Sequence, residues 1–281
     1  MKNAPEHLKG IIAIFLTAVL WSSGGLFIKL FSLSPMQISF FRCLIAALIF
    51  LIIFKIKVLK LNPLALLNSI TYAVVLILFV YATKTTTAAN AIFLQSTAPI
   101  YVLILEPLIT KSKYEKVNII TISICFIGMI LFFIGELSPG DFRGNFASLL
   151  AGLAFGIFFL GMRKNDGKFA ESSIFYGNIL VTIFCIPFII DLHYLNTKDL
   201  AMVSYLGIFQ IAIPYALFSY GIQKIKAVEA SIISLFEPVL NPIWVFLGYG
   251  EIPKLNAIIG GIIIITAIII KTILTSMRFR K

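Results

Sequence analysis

The side chain with the most chemistry to offer is Glu237, in the stretch Leu235-Phe236-Glu237-Pro238-Val239-Leu240-Asn241-Pro242. It lies near the middle of an apolar run over residues 227–249. That run has about the length needed to cross a hydrocarbon core of roughly 30 Å, which takes ~20 helical residues. An acid at such depth is costly and usually faces the interior of a helix bundle, where it can hold a proton or an amine. The plainer alternative is a neutral acid bonded to a neighbouring helix beside a proline kink, and the residues alone leave the two open. Ser234, Glu237 and Asn241 fall at i, i+3 and i+7 and so share one helical face. Asn90, Thr97 and Tyr101 do the same within 88–110, a run that also carries Gln95 and Ser96. Amides without partners are expensive in hydrocarbon, so these faces should look onto protein or a wet cavity.

The other charges read more blandly. Arg42 sits about five residues into the second apolar run, where snorkelling to the interface or bonding between helices is favoured over substrate contact. Glu106 falls one turn from the end of its run, within reach of Lys111 or Lys113. Lys84 and Glu229 read as loop or helix-end charges.

Several chemistries are excluded. There is no G-x-x-x-x-G-K-[ST] loop for ATP and no H-E-x-x-H. His7 and His193 lie at an end and in a loop, the cysteines lack ligand spacing, and no metal or cofactor is expected. Glu106 and Glu237 sit at different depths in opposite halves, which leaves an embedded hydrolase or transferase as a minor alternative. Cys43, Cys125 and Cys185 all fall inside apolar runs and predict buried thiols rather than disulfides.

These residues need elements to position them. With 60% hydrophobic and 12% charged residues in 281, the composition is that of a polytopic membrane protein. The apolar runs predict ten spans, at 10–30, 37–56, 64–82, 88–110, 117–135, 146–163, 174–190, 199–219, 227–249 and 255–274. The first run lacks a small-x-small cleavage site at its end, so it is expected to stay as a span. Tyr81, Ala88 and Pro99 reappear 139 positions later as Tyr220, Ala227 and Pro238, which reads as an internal duplication. The predicted division is a first five-span repeat at 1–135, an external linker at 136–145, and a second repeat at 146–281. Five spans per copy make the repeats inverted.

If the N-terminus is cytoplasmic, seventeen of the 23 basic residues fall on inner segments. Five (Lys29, Lys84, Arg143, Lys198 and Lys254) fall on outer ones, leaving Arg42 inside its span. This positive-inside bias places both termini in the cytoplasm. It also accounts for the net charge of +11 without nucleic acid. In the first span, Trp21-Ser22-Ser23-Gly24-Gly25 offers either close helix packing or one wall of a pocket. Pro99 and Pro238 predict paired kinks that could serve as hinges.

Trp21-Ser22, Phe41-Arg42, Pro99, Gly128, Glu237-Pro238, Leu247-Gly248, Glu251 and Gly260, in this order and spacing, resemble the EamA-like transporters of the drug/metabolite transporter superfamily. The resemblance covers essentially the whole chain. Glu251 fits the Gly-Glu that often follows the proline by about thirteen residues, whereas Ser112 departs from it in the first copy. The resemblance implies a basket of ten helices around a central cavity lined by helices 1, 3, 4, 6, 8 and 9. It also implies export of amino acids or related small metabolites across a bacterial inner membrane without ATP hydrolysis.

The resulting expectation is an alternating-access carrier in a lipid bilayer. Its pathway is expected to be lined by Trp21, Ser22, Tyr81, Asn90, Gln95, Thr97, Tyr215, Tyr220, Ser234, Glu237 and Asn241. Proton coupling, uptake instead of export, and the oligomeric state stay open.

Overall fold

Among the described residues, five of the helices begin where the sequence supplies its own side-chain cap. After α1 (Ala4–Trp21), Ser34 and Gln37 form a reciprocal capping box and Pro35 opens α2 (Pro35–Phe54). Asn62 caps α3 (Pro63–Thr85) and Thr87 caps α4 (Ala88–Gln95), which is followed by α5 (Ala98–Thr110) and α6 (Lys116–Phe133). Asp141 caps α7 (Phe142–Lys164), accepting from the N–H groups of Arg143 and Gly144. Then come α8 (Ala170–Cys185) and α9 (Thr197–Tyr205), the latter capped by Asn196. A π-helical turn, Leu206–Ala212, joins α9 to α10 (Ile213–Ile222). The chain closes with α11 (Ala227–Ile233), α12 (Phe236–Tyr249) and α13 (Leu255–Arg278). The structure is a computed structural model and describes residues 4–278 apart from 25–26, 29–32, 136, 138, 166, 191, 193–195 and 250–253. Lys29, Glu251 and His193, singled out from the sequence, therefore lie outside the described residues.

Among the described residues, eight helical stretches are long and apolar enough to cross a membrane. The first and ninth predicted spans are interrupted instead: α1 ends at Trp21, and Ser234 and Leu235 separate α11 from α12. Large apolar side chains cover the outside, among them Ile52, Leu108, Ile120 and Leu247. In water this would be a liability, but against lipid it costs nothing. The three cysteines are buried and free.

One corresponding pair of helices from the two halves meets, α6 with α13. α4 and α11 begin 139 positions apart, as do α6 and α13. α6 packs along α13, and α3 packs along α7 and α8. Backbones touch where α6 crosses α13: a Cβ on Gly260 would lie 2.4 Å from the Gly128 carbonyl oxygen and 2.5 Å from the Phe132 nitrogen. Only glycine allows that approach.

Candidate functional site

Two helix breaks build the site. Pro99 has no N–H to give the Gln95 carbonyl, and its ring crowds that carbonyl. The Ser96 and Thr97 hydroxyls turn back to the carbonyls of Ile92 and Leu94, both at 2.7 Å, so the helix stops at Gln95 and restarts at Ala98. Pro238 stands in the same relation to Ser234, whose hydroxyl bonds the Ala230 carbonyl at 3.0 Å. The second break leaves Ser234 and Leu235 between α11 and α12.

The breaks face each other across a small cavity of about 20 Å³ lined by Gln95, Pro99, Phe155, Ser231, Ser234 and Glu237, among others. A second cavity of about 20 Å³ shares Gln95, Phe155 and Glu237 and is completed by Trp21, Leu76, Phe79, Gln210 and Tyr215. Each has room for about one water. Glu237 is partly buried, and among the described residues its carboxylate makes no hydrogen bond or ion pair. Trp21 is 3% exposed with its indole N–H unpartnered, packed on the rings of Phe155, Tyr215 and Phe218. An acid without a counter-ion, two amides and an aromatic wall form a site able to take a cation or a proton beside an apolar group.

Of the expected lining residues, Trp21, Gln95, Tyr215, Ser234 and Glu237 thus come together. Ser22 and Asn241 meet one another beside them, where the Asn241 amide donates to the Ser22 carbonyl at 2.9 Å. Trp244 donates its indole N–H to the Ser22 hydroxyl at 2.7 Å, so α12 clamps the end of α1.

Four residues lie elsewhere. Asn90 bonds Asn145 at 3.0 Å and Thr86 at 3.3 Å, tying the start of α4 to the start of α7. Thr97 is buried where α7 passes at Gly152, and Tyr81 packs on Ala82, Ala91 and Ala147. The break at 96–97 interrupts the continuous 3.6-residue register that would align Asn90 with Thr97. Tyr220 is 48% exposed, with the Lys224 ammonium 4.3 Å above its ring. Tyr220 follows Tyr215 by five residues, about 140° around a helix, so the two cannot share a face.

The charges need correction too. Of the two readings favoured for Arg42, bonding between helices holds and snorkelling does not: it is fully buried and donates to Gln210 Oε1 at 3.1 Å and to the Leu76 carbonyl at 3.0 Å. Both acceptors belong to residues that line the second cavity, so Arg42 stands behind its wall. Glu106 pairs with neither Lys111 nor Lys113. Its carboxylate accepts from the N–H groups of Ala227 at 2.9 Å and Val228 at 3.2 Å, capping α11 from another helix. Glu229 stands at a helix end, in the first turn of α11, but is buried rather than exposed, 2.9 Å from His7 and 2.8 Å from Lys271. Gln210 and Trp244 were missed. A lone amide inside an apolar run and an aromatic three residues after Asn241 were the available signals.

An all-helical chain with this many membrane-length helices is a multi-pass membrane protein. It belongs to the EamA-like transporter family, which matches residues 8–134 and again 142–273. A protein of Clostridium kluyveri described as an uncharacterized transporter is 27% identical, over 93% of this chain and 92% of its own. One of Archaeoglobus fulgidus with the same description is 26% identical, over 93% and 95%. The uncharacterized transporter YdfC of Bacillus subtilis is 27% identical, over 87% and 84%. A crystal structure at 14% identity superposes with a TM-score of 0.80 over 99% of this chain and all of the other, which shows a shared fold.

Proposed function

We propose that this chain exports small polar metabolites, amino acids or related compounds, by alternating access without ATP hydrolysis. The observation that carries this is the convergence of Gln95 from one half with Ser234 and Glu237 from the other around a small cavity, with no partner for the acid among the described residues. Glu237 holds the ammonium group of the solute or a coupled proton, Gln95 and Ser234 orient polar atoms, and Trp21 and Tyr215 pack on the apolar part. Pro99 and Pro238 act as hinges. Residues 1–135 and 146–281 are two five-span repeats inserted in opposite senses around the 136–145 linker. Both termini are cytoplasmic and the membrane is the inner one, in keeping with the charge asymmetry. Glu106 and Glu237 line separate cavities, which supports a carrier over an enzyme.

The test is efflux from liposomes loaded with amino acids and small metabolites, followed by mass spectrometry. Selective loss of one class is expected. Glu237→Gln should slow that loss by about tenfold, the worth of one charged hydrogen bond, while Glu106→Gln slows it much less. Equal effects of the two changes would sink the role of Glu237.

A further inference from the structure

Away from the midplane, two larger cavities open at the end of the molecule that gathers the basic residues. One of about 480 Å³ lies between α5, α6, α7 and α11. The other, of about 320 Å³, reaches from the same wall to α1 and α13. They share Glu115, Asn118, Arg163, Lys226 and Val228. The sizes are those of small-ligand pockets.

Two of the shared polar side chains have nothing to bind. Asn118 is 5% exposed, yet among the described residues its amide makes no hydrogen bond. Its polar atoms are not sealed off, so the amide opens onto the two cavities with its bonding positions unfilled. The Arg163 guanidinium, partly buried, makes no hydrogen bond or salt bridge among the described residues, although the Glu106 carboxylate is near enough to feel its charge. The acids nearby are already engaged: Glu106 by the α11 backbone, Glu115 by Lys226, and Glu229 by His7 and Lys271. Lys113 and Lys164 add uncompensated charge at the rim of the larger cavity. An open amide beside a guanidinium whose N–H donors are unfilled suits an oxyanion, which a planar fork of N–H donors binds in two-point fashion.

We propose that Asn118 and Arg163, with Lys113 and Lys164 at the rim, form a binding site for a phosphate group. The site is distinct from the Glu237 cavity. The group is carried either by an anionic lipid of the adjoining leaflet or by a soluble anion. The proposal does not depend on transport, because binding alone is read.

The experiment follows the thermal midpoint of the full-length protein in phosphatidylcholine nanodiscs. One arm adds inorganic phosphate against chloride at matched ionic strength. The other replaces a quarter of the lipid by phosphatidylglycerol. A rise with phosphate identifies a soluble source, and a rise with phosphatidylglycerol alone identifies a lipid. In either arm Arg163→Gln should raise the half-saturating amount of anion by about tenfold. Asn118→Leu, which keeps the volume and removes the amide, should do the same and serves if the arginine variant does not fold. Lys57→Gln, remote from both cavities, should change nothing. No rise in either arm, or a rise with unaltered half-saturation in the variants, would overturn the site.

Discussion

At the scale of single residues, the two halves diverge where the duplication looks strongest. Thr87 caps α4 with its own hydroxyl, but the equivalent place before α11 is Lys226, which makes no side-chain cap. Glu106 supplies the missing acceptor from α5. Glu106→Ala should therefore cost about 1–2 kcal/mol, as does loss of an ordinary N-cap, and Thr87→Ala a similar amount. Thermal unfolding in detergent checks both, and an unshifted midpoint for Glu106→Ala would show the cap to be dispensable.

Outside the membrane, Glu6 is held by Lys224 and Lys9, whose hydrogen bonds lower its pKa from 4.5 to about 2. A carboxyl with a depressed folded-state pKa contributes stability above its unfolded value and loses it as pH falls through the folded one. The difference in midpoint between wild type and Glu6→Gln should thus shrink between about pH 4.5 and pH 2. A difference constant across that window would mean the contacts of Glu6 contribute nothing.

At the scale of elements, the decisive features are interruptions. Each proline removes the usual donor four residues on, and the Ser234 carbonyl accepts from the Glu237 N–H at 2.9 Å instead. Irregular backbone is tolerable in a membrane only where protein or a cavity meets it, and Gln95 and Ser234 both line a cavity. Pro238→Ala restores an N–H within reach of the Ser234 carbonyl. The break should close toward a continuous helix, with flux falling while the unfolding midpoint stays level or rises. Undiminished flux would remove the hinge role. The π turn at Leu206–Ala212 is a second irregularity of this kind. It carries Gln210 against Arg42 and against Gly24, where a Cβ would stand 2.6 Å from the amide nitrogen.

At the scale of the whole molecule, the cavities differ in size. The midplane has space for about one water, with Trp244 and Asn241 bonded to Ser22 beside it, whereas the basic end holds a cavity of about 480 Å³. Because the native cysteines are buried, single cysteines can report this directly. An impermeant thiol reagent should label Thr110→Cys quickly and Gln95→Cys far more slowly. Comparable rates would show the midplane to be open in the resting protein.

Much was legible without coordinates. Apolar runs of membrane length, the proline pair and the polar residues around them come from local composition and spacing, and these decided the helical class, the helix breaks and the central place of Glu237. What composition could not decide was which way each side chain faces, because that depends on breaks that reset the helical register and on which helices become neighbours. Asn90 and Tyr220 therefore lie away from the cavity that Glu237 lines, and Gln210 and Trp244 stand close to it. The partners of Arg42, Glu106 and Glu229 are 34 to 222 positions away in sequence. A buried charge is satisfied by whatever the packing brings within about 3 Å, and only the tertiary structure chooses that.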